Sequence, residues 1–181
     1  MRVQELKPGV WRWTAQHPDW GDREVSSAYL ETPDAVLLVD PLVPRDEEER
    51  FFAALDRDVA RLGLPVGITL TNPWHRRSAD ELARRYGAEV QVGGFLESLP
   101  GGMQPEDVVL HAPSHRALFT GDTLVDGDLC PEDWLAEGRE HQLACLARVL
   151  GLGADLVVPS HGEPFPVARL DALVHSPPSA A

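Results

Sequence analysis

Apolar and polar positions along the chain change period several times, and the changes mark out its elements. Val3–Thr14 carries Pro8-Gly9 between short apolar runs and predicts a hairpin. Gln16–Arg23 then reads as a loop. Glu24–Thr32 and Ala35–Asp40 read as two strands joined at Pro33-Asp34, the second an almost pure apolar run of the kind that sits inside a sheet. From Asp46 the period becomes helical. Glu47, Glu48 and Glu49 suit the positive first turn, Phe51, Phe52, Leu55, Val59 and Leu62 form one stripe, and Gly63 stops it.

Val66–Thr71 reads as a further buried strand, and Ser78-Ala79-Asp80-Glu81 fits a capping box opening a helix that ends near Tyr86-Gly87. Glu89–Val92 is strand-like, whereas Gly93–Gln104, with its glycines and Pro100, predicts an irregular crossing. Asp107–His111 and Arg116–Thr120 form a hairpin around Ala112-Pro113-Ser114, and Val125–Glu132 is loop. Trp134–Leu150 is a helix stopped by Gly151, Leu156–Pro159 is the last strand, and Pro166–Val174 is a short helix.

Two strand ends deliver polar side chains. The run through Phe119-Thr120-Gly121 ends on Asp122, and Leu156-Val157-Val158-Pro159 runs into Ser160-His161-Gly162. Strand ends are where sites are built, so Asp122 and His161 are candidate ligands for a cation.

Composition narrows the partners. With 29 acidic against 16 basic residues and a net charge of −13, the chain repels nucleic-acid backbones and anionic membranes. No apolar run approaches the ~20 residues of a membrane span, and the first residues lack a signal-peptide core, so a cytoplasmic location is expected. Cys130 and Cys145 are too few for a disulfide framework and read as buried or idle thiols. At 181 residues, one domain over residues 1–175 with a disordered tail at 176–181 is expected. A Ser-His dipeptide does not make a nucleophile and its base, no GxSxG elbow exists, and no GxGxxG or GxxxxGK pattern occurs. His111 and His115 flank a turn and read as surface histidines. His141 reads as part of a solvated helix face, and His17 and His175 as loop and tail residues.

The order of the hairpin, SSAYLETPDAVLLVDPL, LTNPWHRRSADELARRYGAEV, FTGDTLV and VVPSHGEP resembles the metallo-β-lactamase fold superfamily along nearly the whole chain. The resemblance implies an α+β fold, a four-layer αββα sandwich. In active members the loop after the LT strand carries HxHxDH, a PGH turn adds a histidine, and the TGD aspartate and a last histidine complete a site for one or two cations. Here the loop reads Asn72-Pro73-Trp74-His75-Arg76-Arg77, and Pro100-Gly101-Gly102 has glycine in place of the turn histidine. His75, Asp122 and His161 remain as a reduced ligand set, with Trp74, Arg76 and Arg77 beside it in the expected pocket.

Two readings follow. In one, most ligands are lost, no cofactor is bound, an Arg76 or Arg77 guanidinium or the His161 imidazole makes a direct hydrogen bond to Asp122, and Trp74 plugs the space, the more economical role, or stacks on a ligand ring. The protein is then non-catalytic or binds a small molecule. In the other, one zinc, iron or manganese ion on His75, Asp122 and His161 serves a hydrolase of an ester, thioester or lactone. No catalytic residue is assigned in either, and the oligomeric state stays open.

Overall fold

A computed structural model describes residues 1–21 and 23–176. Of the expected tail, Ser176 is an exposed bend, and residues 177–181 lie outside the described residues. The chain divides into two compact units, the first Met1–Leu70 with Trp74–Phe95, the second Thr71–Pro73 with the residues from Leu96 onward.

The first unit is built on a six-stranded sheet in sequence order: β1 (Arg2–Lys7), β2 (Val10–Gln16), β3 (Glu24–Glu31), β4 (Val36–Val39), β5 (Val66–Leu70) and β6 (Glu89–Val92). The first four strands pair antiparallel, and β4–β5 and β5–β6 pair parallel. The parallel pairs follow from their connections, because a strand that returns in the same direction needs a helical crossover. Those crossovers are α1 (Glu48–Leu62) and α2 (Ala79–Tyr86). Trp13, Tyr29, Leu38, Phe51, Phe52, Leu55, Ile68 and Leu82 form the core cluster between helix stripes and sheet. At about 25 cal/mol per Å² of apolar surface removed from water, each such large side chain contributes on the order of 1.5–3 kcal/mol. Both helices end on a left-handed glycine, Gly63 at φ 64° and Gly87 at φ 64°, as the sequence requires.

The helix starts differ from expectation. Arg45–Glu47 make a 3₁₀ turn and no side chain caps α1, so the acidic run acts through its charge. Ser78 does not form the capping box at α2. Its hydroxyl accepts from Val43 N–H at 2.9 Å, and its own N–H donates to Pro41 O at 3.1 Å. A tertiary contact has taken the hydroxyl from the local one.

The second unit holds a sheet in the order β12-β11-β9-β8-β7, with β10 paired to β9. Its strands are β7 (Glu97–Pro100), β8 (Val108–Ala112), β9 (Ala117–Val125), β10 (Asp128–Leu129), β11 (Leu156–His161) and β12 (Phe165–Pro166). The β9–β11 pair is parallel, joined through α3 (Gly138–Leu150), and α4 (Val167–His175) follows β12. Val109, Leu118, Leu124, Leu146, Val149, Val157, Phe165 and Leu170 form its core. β7 lies within the stretch expected to be irregular, because pairing with β8 supplies the order that composition withheld. α3 begins at Gly138, later than the sequence suggested, since Glu132–Trp134 close into a separate 3₁₀ turn. Among the described residues no helix is long and apolar enough to cross a membrane.

Candidate functional site

In the first unit, the end of β4 and the turn after β5 build a buried polar network. Asp40 follows β4 at φ 46°, a left-handed conformation uncommon for residues other than glycine and taken most often among them by asparagine and aspartate, and it is 3% exposed. Its backbone is held on both sides: its N–H donates to Thr69 O at 3.1 Å, and its carbonyl accepts from Ser27 Oγ at 2.8 Å and Arg77 Nη1 at 2.9 Å. The Ser27 hydroxyl accepts in turn from Leu42 N–H at 3.0 Å. That scaffold aims the carboxylate at His75, with Asp40 Oδ2 2.9 Å from Nδ1. His75 is 2% exposed.

Arg77 stands at φ 35° and also donates to Ser26 O at 3.0 Å, while Arg12 Nε donates to Ser26 Oγ at 2.8 Å. Strained non-glycine backbone persists where surrounding contacts over-determine it, and such positions cluster at sites. His17, in the β2–β3 loop, has its pKa lowered by burial and then by the nearby positive charge of Arg77.

In the second unit, Asp122 and His161 lie on the adjacent parallel strands β9 and β11. Asp122 sits inside β9, because that strand runs on past Gly121 to Val125 instead of ending on the carboxylate. The two side chains are 5% and 7% exposed as residues, and His161 Nε2 is 3.5 Å from Asp122 Oδ1, within ion-pair range. Gly121, just before Asp122, lets β9 pass close against Thr71. At φ +54° it takes a conformation side chains resist, and an added Cβ would fall 2.5 Å from Thr71 Oγ1. Gly162 fixes the turn after His161 at φ +87°, where a Cβ would come 2.6 Å from Asp126 Cα. Asp126 N–H donates to His161 O at 3.1 Å, closing that turn.

Of the expected site residues, His75, Asp122 and His161 are buried and each has a partner of opposite character. His161 stands beside Asp122, but Nε2 and Oδ1 at 3.5 Å are in ion-pair range and do not make the direct hydrogen bond expected there. Arg76 pairs instead with Asp80, at 2.7 Å on the exposed side of the 3₁₀ turn. Arg77 binds the carbonyls named above. Trp74 is 49% exposed, so it does not plug a void; the short turn after β5 carries it outward. His111 is not a surface turn residue either: it lies in β8, 4% exposed, with Nδ1 2.8 Å from Glu97 Oε2 on β7. Asp40, at a strand end before a proline, is a residue whose carboxylate the sequence leads one to expect capping the next turn or facing the cleft; its pairing with His75 is what the sequence did not show.

A zinc, iron or manganese site needs at least three donors converging on one point. Among the described residues no three His, Cys, Asp or Glu side chains gather to hold a metal ion. Two carboxylate–imidazole pairs do not by themselves make that donor set.

No family model and no curated protein matches the sequence. Solved structures do match along almost the whole chain. A metallo-β-lactamase from Erythrobacter litoralis is 14% identical with a TM-score of 0.68, covering 96% of this chain and 90% of that one. A metallo-β-lactamase from Hirschia baltica is 16% identical with a TM-score of 0.67, covering 96% of each chain. DIM-1 metallo-β-lactamase exposed to ceftazidime is 17% identical with a TM-score of 0.65, covering 97% of this chain and 96% of that one. At such identities the likeness speaks for architecture, and it agrees with the strand order, the α+β composition and the motif order: the chain has the metallo-β-lactamase fold.

Proposed function

We propose that this protein is a non-hydrolytic relative of the metallo-β-lactamases that binds a small organic ligand and needs no metal cofactor. The observation that carries the reading is the absence, among the described residues, of any three metal-ligating side chains grouped together. It is supported by the pairing of Asp40 with His75 at 2.9 Å, since a buried carboxylate in hydrogen-bond contact with a neighbouring imidazole does not need a cation to stay buried. The strongly acidic composition favours neither nucleic acid nor an anionic membrane as partner, and a cytoplasmic small molecule fits best.

Metal analysis tests it directly. Protein purified without chelator is expected to carry less than about a tenth of an equivalent of zinc, iron and manganese together, because a working site retains its ion through purification. Added zinc should leave the melting temperature unchanged, whereas a matching organic ligand should raise it by mass action. About one equivalent of bound metal, lost together with thioester, ester or lactone hydrolysis in Asp122→Asn, would replace this reading with the mono-metal hydrolase.

A further inference from the structure

One face of α3 carries chemistry that the proposed function does not use. Glu137, His141 and Cys145 are spaced by four residues and Arg148 follows three later, so all four line up along the helix. The adjoining face is the buried one, with Gln142, Leu146 and Val149 fully covered. Cys145 sits on the border at 7% exposure. Its Sγ is 3.5 Å from His141 Nε2, and His141 Nδ1 is 3.7 Å from Glu137 Oε2.

Glu137, His141, Cys145 and Arg148 line a cavity of about 280 Å³ together with Gly102 and Met103 of the facing loop. Gly102 is what brings the facing loop so near. At φ +84°, an added Cβ there would fall 2.7 Å from Gln142 Cα and 3.2 Å from the sulfur. Burial holds the thiol protonated by raising its pKa, and the Arg148 charge pulls the other way. A thiol in that state reacts when a base takes its proton as the new bond forms, and an imidazole nitrogen at 3.5 Å is placed to be that base.

We propose that Cys145, with His141 as its base and Arg148 as an anion anchor, is a covalent capture site for a small α,β-unsaturated carboxylic acid. The Sγ proton passes to His141 Nε2 as the sulfur forms a bond to the β-carbon. The π pair of the C=C bond moves to the α-carbon, which then takes the proton back from the imidazolium. The net change is addition of S–H across the double bond. Nothing leaves, and neither oxidant nor reductant is consumed. Such an addition calls for a proton shuttle and an anchor for the carboxylate, and those are the groups present.

The experiment uses the full chain, maleimidoacetic acid as anionic probe, N-ethylmaleimide as neutral probe, and mass spectrometry to locate adducts. Cys130, with no exposure, is the internal reference. A single adduct at Cys145 is expected, with the anionic-to-neutral rate ratio about fivefold above that of glutathione, the size of one exposed charge pair. Arg148→Ala should bring the ratio down to that of glutathione. His141→Ala, and His141→Gln as a second variant, should slow both probes about tenfold or more with an unchanged circular dichroism spectrum, well within what a positioned base contributes. Labelling of Cys130 first, a ratio no greater than that of glutathione, or a smaller loss in both His141 variants would overturn the proposal.

Discussion

The most informative residue is Asp40, whose backbone and side chain are held by different parts of one network. Its left-handed φ costs about 1–3 kcal/mol for a non-glycine residue, so the contacts around it must return more than that. Asparagine tolerates the same backbone conformation, which makes Asp40→Asn a probe of the carboxylate alone. The variant is expected to lose about 1–3 kcal/mol in urea unfolding, because a buried bond to His75 Nδ1 at 2.9 Å is weakened and a charge complement lost. An unchanged midpoint would mean that His75 is held by its other neighbours. Asp122 was legible in the sequence, since a glycine followed by a carboxylate after an apolar run stands out. The place of Asp40 at a strand end before Pro41 was legible too, but its partner was not, because His75 lies 35 positions away along the chain.

At the scale of elements, β4 decides the first unit. All four of its residues are buried, and it pairs antiparallel with β3 on one side and parallel with β5 on the other. A strand so placed tolerates no uncompensated charge. Val39→Asp is expected to abolish cooperative folding, since burying a lone carboxylate costs several kcal/mol against a total stability of about 5–15 kcal/mol. A soluble Val39→Asp protein with a cooperative melt would show that β4 is not the centre of this sheet. Strands β3, β4 and β5 were legible because an apolar run between turn residues has few other outcomes. β7 was not, since its ESLP sequence carries little strand preference and is ordered by its partner strand. The capping box at Ser78 failed for a related reason: a hydroxyl bonds whichever donor the fold presents, and Val43 N–H outcompeted the local one.

For the whole molecule, the net charge of −13 is the dominant long-range influence. Exposed ion pairs such as Arg76–Asp80 and Arg85–Asp56 offset the repulsion only in part, because solvent and salt screen them. Raising salt from about 10 mM to about 150 mM shortens the screening length from about 30 Å to about 8 Å, which weakens the repulsion summed over the surface more than a few close pairs. The melting temperature is expected to rise by a few degrees, roughly 2–4 °C for each kcal/mol gained in a chain of this size. A fall with salt would show that the ion pairs outweigh the repulsion.

The sequence by itself determined most of the elements and their order, short β7 and β10 aside, because hydrophobic period, turn glycines and apolar runs are local properties that act within a few residues. It also marked His75, Asp122 and His161 as polar positions on an apolar framework. What only the tertiary structure decided is which groups answer them: Asp40 for His75, His161 for Asp122, Asp80 for Arg76, Glu97 for His111. The 3.5 Å contact between Cys145 and His141 was decided there as well, although helical spacing allowed it, since a side-chain rotamer and a glycine in the facing loop settle whether the pair meets beside a cavity. A hydrogen bond depends on distances of tenths of an ångström between residues far apart in the chain, and no local pattern carries that information.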